Sequence, residues 1–129
     1  MAVIGIGLDI VDVDRLRRAI THPRRGERFK KRVFTELEQR DCDARRSSIQ
    51  SYAARFAAKE AVVKALASES ALSMAWQDVE VRSSSDGRPS IMLHGRMAAR
   101  AGEMGVGAIH VSLSHDAGIA AAQVVVESA

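Results

Sequence analysis

The sequence predicts an α+β fold in which an antiparallel sheet is built around a long central helix. Three observations carry this reading. Val3–Val11 alternates apolar residues with Gly5, Gly7 and Asp9, the two-residue period of a strand. A long uninterrupted helical pattern runs from Ile49 to about Ala67. The C-terminal half contains two hairpin patterns, one turning at Asp86-Gly87 and one at Ala117-Gly118. The order strand, helices, hairpins favours an antiparallel sheet over alternating parallel units.

Each remaining element has its own local signal. Asp12 or Asp14 can cap a helix through Leu16 and Ile20, and His22-Pro23 ends it. Thr35 and Glu38 have capping-box spacing and open a helix toward Arg46. Ser47 or Ser48 starts the long helix. Asp78–Ser83 alternates like a strand and pairs through the first turn with Ser90–Leu93, and Arg96–Met104 reads as a helix closing at Gly105. Ile109–Leu113 and Ile119–Val126 form the second hairpin. With 129 residues, no internal repeat and no linker, residues 1–129 are expected to form one domain.

Composition narrows the functional classes. The chain is 47% hydrophobic and 27% charged, a globular rather than a disordered or fibrous profile. Its longest apolar run, Val3 to Leu8, stops at Asp9, far short of the ~18 residues a membrane span needs. No basic start followed by a long apolar stretch marks a secretory signal, so a cytoplasmic location and no membrane partner are expected. Cys42 is the only cysteine, which excludes an internal disulfide and a cysteine-built zinc cluster. A domain of this size buries roughly two-thirds of its unfolded surface, so a catalytic site is expected to be shallow or shared between subunits.

Charge is concentrated in one place. Arg15–Arg32 contains nine basic residues against the single acid Glu27, a local net charge of +8 that leaves −5 for the rest of the chain. Such a block is either a solvated face or a surface for a phosphate-rich ligand or an acidic protein. Nucleic acid fits poorly, because only Phe29 of the five aromatic residues is interleaved with the basic ones and no stacking platform exists.

Three groups of residues could carry chemistry. In the first strand, alternation puts Ile4, Ile6, Leu8 and Ile10 on one face and Gly5, Gly7, Asp9 and Val11 on the other. The two glycines allow close approach of a ligand or another backbone, and Asp9 needs a cation or hydrogen bonds to offset its desolvation. In the long helix, Ile49, Tyr52, Phe56 and Val63 form an apolar stripe into which Glu60 falls, with Lys64 one turn further on. Glu60 and Lys64 are either a surface pair at four-residue spacing or part of a site where a hard divalent cation is shared with Asp9. Near the C-terminus, His110, Ser112 and Ser114 form a polar strand face followed by His115 and Asp116. No G-x-S-x-G elbow is present, and adjacent Ser114 and His115 point to opposite faces, so a serine nucleophile is disfavoured.

These segments together resemble a known family. Ile4-Gly5-Ile6-Gly7-Leu8-Asp9-Ile10 with Arg15, and Arg55-Phe56-Ala57-Ala58-Lys59-Glu60-Ala61-Val62-Val63-Lys64-Ala65, are similar to the two leading motifs of the bacterial holo-(acyl carrier protein) synthases. These are the short-chain, trimeric type of 4′-phosphopantetheinyl transferase. Asp86-Gly87-Arg88-Pro89 and Val111-Ser112-Leu113-Ser114-His115, followed by Ala120-Ala121-Ala122-Gln123-Val124, resemble the two later motifs, in the family's order and over nearly the whole chain.

The resemblance implies a phosphopantetheinyl transferase-like fold and a homotrimer with sites between subunits. It implies a role in fatty acid biosynthesis: Mg²⁺-dependent transfer of 4′-phosphopantetheine from coenzyme A to a serine of apo acyl carrier protein, with release of adenosine 3′,5′-bisphosphate. Asp9 and Glu60 would hold Mg²⁺, with Lys64 beside the phosphates as the third catalytic residue. Arg55, Lys64, Ser68, Arg88, Pro89, His110 and Ser112 are the candidates for coenzyme A. Arg15, Arg18, Arg28 and Arg32, with Phe29 as an apolar anchor, are the candidates for docking the acidic carrier protein. One departure is visible: the family's glycine-rich stretch after the second lysine reads Ala65-Leu66-Ala67-Ser68-Glu69-Ser70-Ala71-Leu72 here. A metal-dependent phosphohydrolase would account for the carboxylates alone, and a non-catalytic basic binding module for the basic block alone.

Overall fold

In the computed structural model, which describes residues 1–66 and 76–129, strand β1 (Val3–Asp12) begins the chain. Helices α1 (Val13–Ile20), α2 (Gly26–Val33), α3 (Glu36–Asp43) and α4 (Ser48–Leu66) follow it. A short 3₁₀ turn at Trp76–Asp78 leads into β2 (Val79–Ser83) and β3 (Pro89–Leu93). Helix α5 (Gly95–Met104), β4 (Val106–Asp116) and β5 (Ile119–Ser128) complete the chain. β1, β5 and β4 form one sheet in that order, β2 and β3 form a second, and every pairing is antiparallel.

Most local signals act where the sequence puts them. The Asp12 carboxylate accepts from the Asp14 and Arg15 amides and caps α1. The Thr35–Glu38 capping box is complete at the start of α3. Gly105 closes α5 with φ +74°, a left-handed conformation that suits glycine. Strand β4 of the β4–β5 hairpin is three residues longer at each end than the alternation indicates, and the hairpin turns tightly at Ala117 and Gly118, both with positive φ.

Two elements differ from the sequence reading. Helix α2 was not expected, because no Ser, Thr, Asp or Asn precedes it and Arg25 provides no side-chain cap. His22 serves the turn instead, its Nδ1 accepting from the Arg24 and Arg25 amides at 3.1 Å each. Helix α4 buries only part of the expected stripe. Tyr52 is enclosed as expected and Ile49, Phe56 and Val63 are half-buried, while Ala53, Ala57, Ala58, Ala61 and Val62 are fully enclosed. Small side chains let the α4 backbone lie directly on β1. A Cβ on Gly7 would come within 1.8 Å of the Ala61 carbonyl oxygen, and one on Gly5 within 2.4 Å of that of Ala65. This contact sets Asp9 beside the last turns of α4.

The opposite face of β1 is uncovered. Ile6, Leu8 and Ile10 are 64%, 56% and 63% exposed, and Ile119 on β5 adds to them. The isoleucine row read as one strand face is therefore an apolar outer surface of the sheet.

Candidate active site

Asp9 from β1 and Glu60 and Lys64 from α4 line one open cavity of about 540 Å³, with Arg15, Phe29 and Phe56 on its other walls. Lys64 Nζ donates to Asp9 Oδ1 at 2.9 Å and to the Leu8 carbonyl at 3.0 Å. Burial raises the proton affinity of Glu60, the Asp9 charge raises it further, and Lys64 pulls the other way. The two carboxylates therefore lie within electrostatic reach of each other, on elements that the Gly7–Ala61 contact holds together.

Among the described residues, no third His, Cys, Asp or Glu joins them to complete a protein-only metal cage. Two acidic side chains facing an open cavity are the donor set Mg²⁺ accepts, since it takes one or two carboxylates and completes its shell with water and phosphate oxygens. The residues present therefore fit a magnesium ion of that kind.

A second open cavity, of about 500 Å³, lies at the opposite edge of the sheet, where β4 meets the β2–β3 hairpin and the start of α4. Arg45 and Arg55 both donate to Ser83 Oγ there, at 3.1 and 3.0 Å. Arg55 is only 3% exposed, and its buried Nε–H has no partner among the described residues. A guanidinium held this way has unused donor capacity, which a phosphate would satisfy.

The sequence candidates are distributed between these places. Arg15 and Phe29 line the first cavity, and Arg18, Arg28 and Arg32 are exposed on α1 and α2. Arg55, Pro89 and Ser112 line the second cavity. Arg88 is outside it, in the exposed β2–β3 turn, 3.6 Å from Asp86. His110 sits on the outer sheet face, 2.7 Å from Glu127. Ser68 lies outside the described residues.

Arg45, Ser83 and His115 also line the second cavity without having been singled out as site residues. One signal for this wall was present: Ser47, just before α4, and Ser51 and Arg55 within it recur at four-residue spacing.

The fold and the paired-carboxylate cavity define a class, and the chain belongs to it: the model of the 4′-phosphopantetheinyl transferase superfamily matches residues 5–122. The holo-[acyl-carrier-protein] synthase of Anaeromyxobacter sp. (strain K) is 46% identical over 97% of this chain and 96% of its own length. That of Streptomyces avermitilis is 46% identical over 98% and 99%. The holo-[acyl-carrier-protein] synthase of Helicobacter pylori, solved in complex with coenzyme A, superposes with a TM-score of 0.77 at 31% identity, covering 95% of this chain and 99% of that one. Within the superfamily the chain aligns end to end with enzymes that transfer phosphopantetheine from coenzyme A to apo acyl carrier protein. This sets aside the phosphohydrolase and binding-module readings.

Proposed function

We propose that this chain transfers 4′-phosphopantetheine at the β1–α4 cavity, with Mg²⁺ held by Asp9 and Glu60, and releases adenosine 3′,5′-bisphosphate. The observation that supports it most is the convergence of a strand carboxylate, a helix carboxylate and Lys64 on one open cavity. When bound, Mg²⁺ supplies positive charge that neutralises the pyrophosphate and the leaving oxygen. The carrier's serine oxygen forms a bond to the phosphorus that bears pantetheine, and that phosphorus releases the bridging oxygen to the adenosine bisphosphate. The serine proton leaves to Glu60 or to a water in the open cavity. Lys64 offers a second positive charge in a partly desolvated place, where it counts for more than in bulk water.

Arg55 and Arg45, converging on Ser83, are suited to the phosphate-bearing adenosine end of coenzyme A. In one chain that pair faces the β4 edge of the sheet, while Asp9 faces the β1 edge. A homotrimer packed through the exposed Ile6–Leu8–Ile10 face would bring the β1 edge of one copy to the β4 edge of the next and complete each site. Ile6→Glu is expected to leave the isolated fold intact, since Ile6 is 64% exposed in one chain, yet to dissociate the oligomer in sedimentation and abolish transfer. An unchanged sedimentation coefficient would remove this face from the assembly. A cytoplasmic setting, in which the free Cys42 stays a thiol, goes with this reading.

Arg15 on α1 and Phe29 on α2 line the same cavity, and they are the proposed surface for the acidic carrier together with the exposed Arg18, Arg28 and Arg32 of these two helices, Phe29 being the apolar anchor. The direct test is incubation with coenzyme A, Mg²⁺ and apo carrier protein, followed by the carrier's mass. Gain of one phosphopantetheine arm is expected, and no gain sinks the proposal. In the same assay Arg15→Glu with Arg28→Glu should raise KM for the carrier about tenfold or more at low salt while leaving KM for coenzyme A near its wild-type value. Equal changes in both would count against docking on this surface.

A further inference from the structure

We propose that Lys64 is the resident counter-cation of the carboxylate pair, and that a divalent cation enters by displacing its ammonium from Asp9. The inference rests on the reading of Asp9 and Glu60 as a cation site. Three observations support it. The ammonium is tied to the strand by two contacts, 2.9 Å to Asp9 Oδ1 and 3.0 Å to the Leu8 carbonyl, so it occupies one of the two carboxylate oxygens that Asp9 offers a metal. The Asp9 side chain is only 16% exposed, so its carboxylate is poorly hydrated and requires a cation whichever one is present. Glu60 forms no ion pair with any described residue, so half of the pair is already free to accept an incoming ion.

The exchange is physically easy. Lys64 is 52% exposed on a flexible stem, and an ammonium with this much solvent access leaves a carboxylate at small cost. A divalent cation binds both carboxylates, which one ammonium does not, and like-charge repulsion then drives Lys64 off the strand. The displaced ammonium swings into the open cavity, where phosphate oxygens can take the place of Asp9 and Leu8. Metal entry and release of the phosphate-binding lysine thus become one event. Without the metal, Lys64 holds the Asp9 carboxylate against β1.

The test is direct Mn²⁺ binding to the whole protein, without coenzyme A and at low ionic strength, read from the electron paramagnetic resonance signal of the free ion. Lys64→Met is expected to tighten Mn²⁺ binding about threefold to tenfold, because it removes both the competitor and a nearby like charge. Arg15→Met removes an equal charge from the same cavity without touching Asp9, and should tighten binding by less than about twofold. Affinity in Lys64→Met equal to or weaker than wild type overturns the exchange, as does an equal gain in Arg15→Met. Asp9→Asn is expected to abolish saturable binding. Wild-type affinity in Asp9→Asn, or no saturable binding in either wild type or Lys64→Met, would overturn the underlying cation site instead.

Discussion

Asp9→Ala and Glu60→Ala are each expected to reduce Mg²⁺-dependent transfer by about a thousandfold or more, while leaving a folded protein. Phosphoryl transfer asks the protein chiefly to position groups and to stabilise charge, and one well-aimed electrostatic contact is commonly worth ~10²–10³ in rate. In the proposed site two carboxylates of the described residues hold the ion, so deleting either removes half of that hold. Stability should respond differently from activity. Burial and the Asp9 charge raise the pKa of Glu60 in the folded state. The folded protein therefore favours the protonated form. That preference contributes stability below the unfolded pKa of roughly 4.3 and is lost as pH rises through the folded value. Near neutral pH, without metal, the ionised Glu60 works against the fold, so Glu60→Ala should melt no lower than wild type. Turnover measured against Mg²⁺ concentration, beside a melting curve at pH 7, checks both parts. Near-normal turnover in the two variants would end the proposed role of this pair.

How much of this could be read from the amino acids depends on where each signal is stored. The alternation of Val3–Val11 separates the isoleucine row from the glycine–aspartate row, but not which row is covered. Isoleucines argue for burial, and only the contact of Gly5 and Gly7 with the α4 backbone reveals that the glycine side faces the core. In α4 the large residues mark a stripe of which only Tyr52 is fully buried, because this helix packs closely through alanines that carry no large-residue signal. α2 lacks a capping residue and its sequence, Gly26-Glu27-Arg28-Phe29-Lys30-Lys31-Arg32-Val33, offers little apolar periodicity, so only tertiary contacts of Phe29 and Val33 account for it. The first cavity was legible because Asp9, Glu60 and Lys64 stand out in apolar surroundings. The second was only partly so: Arg45, Ser83 and His115 come from three separate stretches, and nothing local marks them as neighbours.

The largest stability effect is expected away from both cavities, at the ion pair between Lys59 and Glu38, where both side chains are 0% exposed. Lys59 Nζ lies 2.8 Å from Glu38 Oε1 and also donates to the carbonyls of Trp76 and Val79. Glu38 accepts from the Thr35 amide at 2.9 Å and the Val81 amide at 2.8 Å. Four segments meet at this node: α3, α4, the 3₁₀ turn and β2. Burial pulls Lys59 below the usual lysine range, and Glu38 is the main influence holding it up. Lys59→Met alone strands a carboxylate, and Glu38→Leu alone strands an ammonium and two backbone donors. Breaking one side of such a pair typically costs ~3–5 kcal/mol, a large share of the ~5–15 kcal/mol that holds a domain together. Lys59→Met with Glu38→Gln should lose less than the sum of the single variants, since no charge remains unpaired and the glutamine can still accept a backbone N–H. Urea midpoints for the two singles and the double decide the matter. A loss below about 1 kcal/mol in Lys59→Met, or simple additivity in the double, would show that the node contributes little. The consequence reaches the active site through Trp76, whose ring stacks on Phe56 at 5.1 Å, and Phe56 is a wall of the cavity that holds Asp9 and Glu60. The lysine that precedes Glu60 in sequence thus braces the wall beside it from the protein's interior.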